Sequence, residues 1–231
     1  MATPHEKLAE SLEVLHELQV KGRIAIRSGD LSRTDRERLV RSGFLLEVMK
    51  GWYVPARPDE TQGESTAWYA SFWDFCAAYL ESLKGADWSL SPEQSIALYA
   101  ENWTVPKQLL VRSNKARNNI TLLPHGTSLL DIKAKLPATG EQASKNALRI
   151  FALPSALIAC SAEAYRQNPA DMRVALSMIR DASEVLEPLL SGGHSVIAGR
   201  LVGAFRNIGR QKIADDILAT CLLYTSPSPR D

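Results

Sequence analysis

Basic side chains are concentrated in one stretch of the sequence, between Lys21 and Lys50. This stretch holds eight Lys and Arg residues against four acidic ones, in a chain whose formal net charge is only +1. A row of cations that are not all paired with acids neutralises phosphates through charge-assisted hydrogen bonds. Phosphate binding is therefore the chemistry that this stretch offers. Its basic residues are Lys21, Arg23, Arg27, Arg33, Arg36, Arg38, Arg41 and Lys50.

Two helices are predicted to position these residues. Leucines recur at helical spacing over residues 8–18, and Gly22 follows them where a helix would end. A second, strongly charged helix is predicted to begin after Ser32, which can cap its first turn, and to end at Gly43.

A β-hairpin is predicted to follow the charged helix. Strand-forming residues flank Lys50-Gly51 in FLLEVMKGWYV, residues 44–54, and this pair is a plausible tight turn. Helix, charged helix and hairpin is the order of a winged helix-turn-helix, in which one helix enters a DNA groove and the wing lies along the backbone. We therefore predict a winged helix-turn-helix over residues 1–58.

Five basic residues of this unit are predicted to contact double-stranded DNA. Leu39 and Val40 are expected to face the core, which would turn the arginines of the charged helix outward. A hairpin tip reaches the DNA backbone more readily than the base edges, so a phosphate contact is expected there. The alternatives are a solvated charged helix and a winged helix that binds a protein partner. The predicted contacts are Arg27, Arg33, Arg36, Arg41 and Lys50.

The rest of the chain predicts an α+β fold with a helical C-terminal part. For residues 65–152 we predict a small α+β domain, in which an aromatic stripe from Trp68 to Leu83 forms a buried helix and later short apolar runs form antiparallel strands. For residues 153–220 we predict a helical region. Its helices are expected over 154–164, over 169–190 and from 194 onward.

Residue types that could support catalysis or metal binding lack the necessary partners. None of the three cysteines lies in a CxxC pair or beside a histidine, which argues against a zinc site or a disulfide framework. His125 has the sequence context of a turn residue. Asp131 follows Gly126-Thr127-Ser128 as in part of a nucleotidyltransferase pattern, but one acid cannot hold two catalytic metals. We predict a non-enzyme without a metal or cofactor.

Five segments carry a family resemblance: RSGDLSRTDRERLVRSGFLLEVMKGWYV, WDFCAAYL, WSLSPEQSIALYAENWTVPKQLLVRS, NNITLLPHGTSLLD and GGHSVIAGRLVGAFRNIGRQKIADDIL. Together they resemble the long N-terminal extension that precedes the catalytic domain of some large bacterial Fic proteins, over about residues 22–220. The first two-thirds are also similar to AbiEi-like antitoxins of type IV toxin-antitoxin systems, in which a winged helix precedes a small α+β domain.

The Fic resemblance implies a regulatory region in front of a domain that transfers AMP from ATP, with Mg²⁺, to a protein hydroxyl. That chemistry needs a histidine base followed by Pro-Phe and a Gly-Asn-Gly-Arg phosphate-binding turn, and the sequence contains no such string. The chain itself is therefore expected to be non-catalytic and to lead, after residues 153–220, to a missing catalytic domain. Its expected partners are double-stranded DNA, that Fic domain or a toxin. The alternative is a free-standing AbiEi-like regulator that binds its own promoter.

The last eleven residues, CLLYTSPSPRD, are predicted to lie outside the fold. A helix cannot continue through the two Ser-Pro steps of this segment. The segment also resembles the translation of a sequencing-library adapter. Residues 221–231 are therefore expected to be foreign and to pack against nothing, and the natural chain is expected to run on past Thr220. An ordinary disordered terminus is the alternative.

The N-terminal sequence MATPHEKLAESLEVLHELQ is charged throughout and has no apolar core of signal-peptide length. No later run approaches the length of a membrane span. We expect a cytoplasmic protein with no membrane partner.

Overall fold

The computed structural model describes residues 3–59, 65–191 and 195–225. As predicted, the fold is α+β. In chain order the elements are α1 (Pro4–Val20), β1 (Ile26–Arg27), α2 (Arg33–Arg41), β2 (Leu45–Met49), β3 (Trp52–Pro55), α3 (Thr66–Lys84), β4 (Ser89–Leu90), α4 (Pro92–Tyr99), β5 (Gln108–Ser113), β6 (Asn119–Leu122), β7 (Ser128–Lys133), β8 (Gln142–Lys145), β9 (Leu148–Phe151), α5 (Leu153–Ala159), α6 (Ala162–Gln167), α7 (Pro169–Met178), α8 (Ser183–Ser191), α9 (Ser195–Asn207) and α10 (Gln211–Thr225).

The chain divides into two compact units, each built from separate stretches of sequence. Unit 1 comprises Met1–Trp88, Val105–Ala134 and Asn146–Leu148, and unit 2 comprises Ser89–Thr104, Lys135–Lys145 and Arg149–Asp231. The stretch 65–152, which we predicted as one middle domain, is therefore divided between both units. The reason lies in the packing: α3 contacts β3 of unit 1, whereas α4 contacts α5 and α7 of unit 2.

Unit 1 begins with the helix, helix and hairpin order predicted for a winged helix-turn-helix. Strand β3 pairs antiparallel with β1 on one side and with β2 on the other. Gly51 turns the chain between β2 and β3 with a φ of 84°, a backbone conformation that residues other than glycine rarely adopt. The predicted hairpin and its Lys50-Gly51 turn are confirmed.

Helix α2 packs on α1 and on β2 through a small apolar core. The Ser32 hydroxyl accepts a hydrogen bond from the backbone N–H of Asp35 and so caps the first turn, as predicted. Leu39 is fully buried in this core, but Val40 is 38% exposed, so the prediction that Val40 faces the core is wrong. Successive helical residues are rotated by about 100°, so only one of two neighbours points at the centre of a narrow core.

Helix α3 packs with the predicted aromatic stripe on the three-stranded sheet of β1, β2 and β3, which we call the wing. The ring of Trp52 on β3 meets Phe75 and Tyr79 edge to face, at centroid distances of 5.8 and 5.6 Å. Phe75 and its neighbour Cys76 are fully buried, but Leu83 at the end of the stripe is 62% exposed. The stripe is therefore part of the core up to its last turn.

The second sheet of unit 1 contains β5, β7 and β6, with β7 in the middle. Strand β6 pairs antiparallel with β7, as predicted, but β5 pairs parallel with it. The prediction that all these strands are antiparallel is wrong for β5. Alternation of apolar residues sets which side chains face the core but carries no information about strand direction.

Unit 2 is mainly helical and has one large apolar core, which includes Leu157, Ala175 and Phe205. Its helices are shorter than predicted. The region 154–164 contains α5 and α6, because Ser161 caps a new helix by accepting from the N–H of Ala164. The region 169–190 contains α7 and α8, which are separated where the buried Ile179 adopts an extended conformation.

Helix α10 continues through Cys221 to Thr225. Cys221 is half-buried and packs against the core of unit 2, so the prediction that residues 221–231 pack against nothing is wrong at its first residue. Proline mainly restricts the residue just before it, and both Ser-Pro steps come after Thr225, in residues 226–231, outside the described residues.

Candidate nucleic-acid interface

The inward side of α2 holds an arginine that serves the fold. The Nη1 of Arg38 donates to the backbone oxygen of Lys7 at 2.7 Å and to the hydroxyl of Ser11 on α1. Asp35 accepts from the Ser11 hydroxyl at 2.7 Å. The hydrogen bond from Ser32, and to a smaller extent the one from Ser11, lowers the pKa of Asp35. Arg38 and Asp35 therefore join α2 to α1.

The outward side of α2 presents Arg33, Thr34, Glu37, Val40 and Arg41, which we call the α2 ridge. Arg33 Nε donates to Glu37 Oε1 at 2.7 Å, and these side chains are 83% and 52% exposed. The hydrogen bond from Arg33 is the main cause that lowers the pKa of Glu37. An ion pair this exposed is screened by solvent and salt, so a phosphate can compete with Glu37 for Arg33.

Arg41 ends the α2 ridge. Within the part of the chain that the structure describes, its side chain makes no hydrogen bond and no ion pair, and it is exposed.

Arg36 is half-buried between α2 and the wing. Its Nη1 donates to the backbone oxygen of Ser28 at 2.8 Å, and its guanidinium lies 5.9 Å from the ring centroid of Tyr53 on β3. A guanidinium has five N–H donors, so the remaining ones can still reach a ligand. The structure gives Arg36 a role in fixing the helix on the sheet in addition to its predicted DNA contact.

The two predicted contacts of the wing lie at the same end of its sheet. Arg27 on β1 is in register with Trp52, and its guanidinium lies 5.1 Å from the Trp52 ring. Lys50 occupies the β2–β3 turn, and the N–H of Ser28 donates to the oxygen of Gly51 at 3.0 Å, which ties the β1 end to that turn. Both Arg27 and Lys50 are exposed, and neither pairs with an acid among the described residues.

Half of the eight basic residues are neutralised within the chain. The four ion pairs are Lys21 with Glu17, Arg23 with Asp30, Arg33 with Glu37 and Arg38 with Asp35. Sequence counting recognised the local excess of cations but missed Thr34 and Glu37 as ridge residues. A helical wheel centred on Leu39 alone would have found them.

Among the described residues, no group of three or more His, Cys, Asp and Glu side chains is arranged to hold a metal ion. His125 lies in a turn with a φ of 54°, as predicted. Asp131 pairs with Lys84 at 2.7 Å.

None of the helices in the described ranges combines the length and the apolar character that a membrane span needs.

A comparison with solved structures shows a related fold. The crystal structure of the RV2827C protein from Mycobacterium tuberculosis is similar to 89% of this chain, over 79% of its own chain, with a TM-score of 0.52 and 16% sequence identity. No family model and no curated protein matches the sequence. At this identity the likeness concerns the fold alone.

Proposed function

We propose that the chain is a non-catalytic regulatory region that binds double-stranded DNA through the α2 ridge and the wing of unit 1. The observation that carries the proposal is the set of exposed cations, on two connected elements, that form no ion pair among the residues the structure describes. Arg41 is the cation of this kind on α2, and Arg27 and Lys50 lie at one end of the wing.

The length of α2 fits a DNA groove. Arg33 and Arg41 are the first and last residues of the helix. At 1.5 Å per residue they lie about 12 Å apart along its axis, which is similar to the width of the major groove. In this arrangement the two arginines contact phosphates on opposite sides of the groove. Thr34 and Glu37 lie between them, where side chains of these types can bond to base edges.

The wing supplies the second contact. A hairpin tip beside the duplex reaches phosphates before it reaches bases, so Lys50 and Arg27 are expected to bind without sequence preference. A cation–π contact with Trp52 restricts the Arg27 side chain before DNA binds. Arg27 therefore loses less conformational entropy on binding. The wing therefore contributes affinity, and the α2 ridge contributes sequence preference.

The sequence resemblance supports a regulatory role for this DNA contact. We propose a cytoplasmic protein in which the region precedes a Fic catalytic domain, and ATP and Mg²⁺ belong to that domain. The DNA bound would be the region upstream of its own gene. A free-standing AbiEi-like regulator is the alternative, and the genomic sequence after the codon for Thr220 separates the two.

The salt dependence of DNA binding tests the proposal. Affinity for the upstream DNA and for a random duplex is measured by fluorescence anisotropy between 50 and 200 mM salt. Each phosphate contact contributes about 0.9 to the slope of log affinity against log salt concentration. Arg41→Ala is expected to weaken binding to both duplexes and to flatten the slope by about that amount, and Lys50→Ala should behave in the same way.

Arg173→Ala is the matched control, because Arg173 is also an exposed helical arginine that makes no ion pair within the described residues, but it lies in unit 2. It should leave the affinity and the slope unchanged. Salt-independent binding, absence of binding at 50 mM salt, or equal effects of both arginine substitutions would contradict DNA binding by this surface.

A further inference from the structure

A groove in unit 2 is lined by side chains of α6, α7 and α9 and encloses about 450 Å³. This volume lies within the range of small-molecule sites, about 300–1,000 Å³. Its apolar wall includes Met172 and Leu176 of α7, which are buried, and Ile208 after α9, which is partly buried. The groove therefore offers a preformed apolar surface of the size of a small ligand.

The charged lining of the groove is entirely positive. Arg166, Arg173 and Arg200 line it, and none of the described residues that line it is an aspartate or glutamate. Arg166 pairs with Glu163 at 2.7 Å on the surface. Arg173 is exposed and makes no hydrogen bond through its side chain within the described ranges. The field inside the groove thus favours an anion.

Arg200 is held in place before any ligand arrives. Its Nη1 donates to the backbone oxygen of Cys160 at 2.7 Å, and its guanidinium lies 5.6 Å from the ring centroid of Tyr165. The Tyr165 hydroxyl donates to the backbone oxygen of Leu157 at 2.7 Å, which fixes the ring. One guanidinium offers five N–H donors, so a fixed Arg200 retains donors for a carboxylate or phosphate.

We propose that this groove binds a small organic anion. The apolar part of the ligand packs against Met172 and Leu176, and its acidic group bonds to Arg173 and Arg200. The groove is formed by three helices of unit 2, and its size matches a single small molecule. A protein interface typically buries about 800 Å² on each partner and would extend well beyond it.

The probe for the first test is 1-anilinonaphthalene-8-sulfonate, which has an aromatic body and one acidic group. Gly203 of α9 lines the groove, and a Cβ at this position meets no atom within 4 Å. Gly203→Leu therefore fills the groove while replacing a helical glycine by a better helix former. Gly199→Leu on the same helix is the matched control, since its Cβ also meets open space but Gly199 does not line the groove.

We expect one probe to bind per chain by fluorescence titration, at least tenfold more weakly in Gly203→Leu and equally in Gly199→Leu. The melting temperatures of both variants should not fall. Arg173→Ala should weaken binding about tenfold, the size of one hydrogen bond to a charged group, and Arg173→Lys should restore part of it.

Competition separates an anion site from a merely apolar one. Decanoate should displace the probe at about tenfold lower concentration than decanol, because only decanoate carries the group that the arginines bind. Equal displacement by both molecules would overturn the proposal, as would unchanged probe affinity in Gly203→Leu. Probe fluorescence that increases in a urea titration as the folded structure is lost would also overturn it, because the probe would then bind unfolded chains.

Discussion

A buried ion pair fixes α3 on the second sheet of unit 1. Lys84 Nζ, at the end of α3, lies 2.7 Å from Asp131 Oδ2 in the middle of β7, and both side chains are only 10% exposed. Lys84 also donates to the hydroxyl of Ser113 on β5 at 3.3 Å. Because α3 contacts the wing through Trp52, we expect the wing to depend on this pair for the position of the helix behind it.

Removal of one partner should destabilise the protein strongly. Asp131→Val leaves the Lys84 ammonium buried without a counter-ion, and Lys84→Met leaves a buried carboxylate whose Oδ1 already has no hydrogen-bond partner. Each change is expected to cost about 3–5 kcal/mol, the usual penalty for an uncompensated buried charge. The double variant removes both charges and should cost far less than the sum, because apolar side chains of similar volume replace a buried pair at little cost.

Urea unfolding followed by tryptophan fluorescence gives these free energies, provided that the slope with urea concentration stays constant. The control is the pair Arg166–Glu163, which has the same 2.7 Å separation but side chains that are 75% and 53% exposed. Its double-mutant cycle should give about 0–1 kcal/mol. If the two single changes at the buried pair cost under 1 kcal/mol each, or add up in the double variant, the charges are not isolated from water as the geometry implies.

Three further predictions concern the DNA surface, acid stability and the C-terminus. Glu37→Gln removes the acid that competes with phosphate for Arg33, so non-specific DNA affinity should increase in the anisotropy assay while the salt slope stays the same, because no phosphate contact is added. Asp35 has a lowered pKa in the folded state, so it stabilises the fold above its unfolded pKa of about 4 and loses this effect as the pH falls further. The urea midpoint of Asp35→Asn should therefore lie below that of the parent at pH 7 and approach it as the pH falls below 4. Deletion of residues 221–231 should lower the melting temperature by a few degrees, because Cys221 packs against the core of unit 2; an unchanged value would restore the view that this segment contributes nothing.

Local signals made part of the fold predictable from sequence. Ser32 before a charged helix and Lys50-Gly51 between apolar runs act within a few residues, and both appear in the structure as predicted. The parallel pairing of β5 with β7 was not predictable, because the strands lie about twenty residues apart and the intervening β6 pairs with the same neighbour. Strand direction is decided by tertiary packing, which alternation does not encode.

The candidate DNA surface shows the same limit. Arg38 and Arg41 belong to the same short helix and have the same chemistry, yet Arg38 bonds to α1 and Arg41 is exposed. The difference depends on Lys7 and Ser11, more than twenty-five residues earlier in the chain. A count of basic residues therefore overestimates the charge available to a ligand, because it cannot see hydrogen bonds that hold an arginine across the fold.

The interleaving of the two units has a consequence for protein synthesis. Helix α4, with the apolar Ile96, is translated between two stretches of unit 1, but its core partners extend to Ile217. At about 5–20 residues per second, the ribosome needs roughly 6–24 s to pass from α4 to Ile217. During this interval the nascent chain exposes an apolar helix that has no completed core to enter. A chaperone that binds near the ribosomal exit would find a target at α4, and slow codons between α4 and α10 would lengthen the time during which the chain can aggregate.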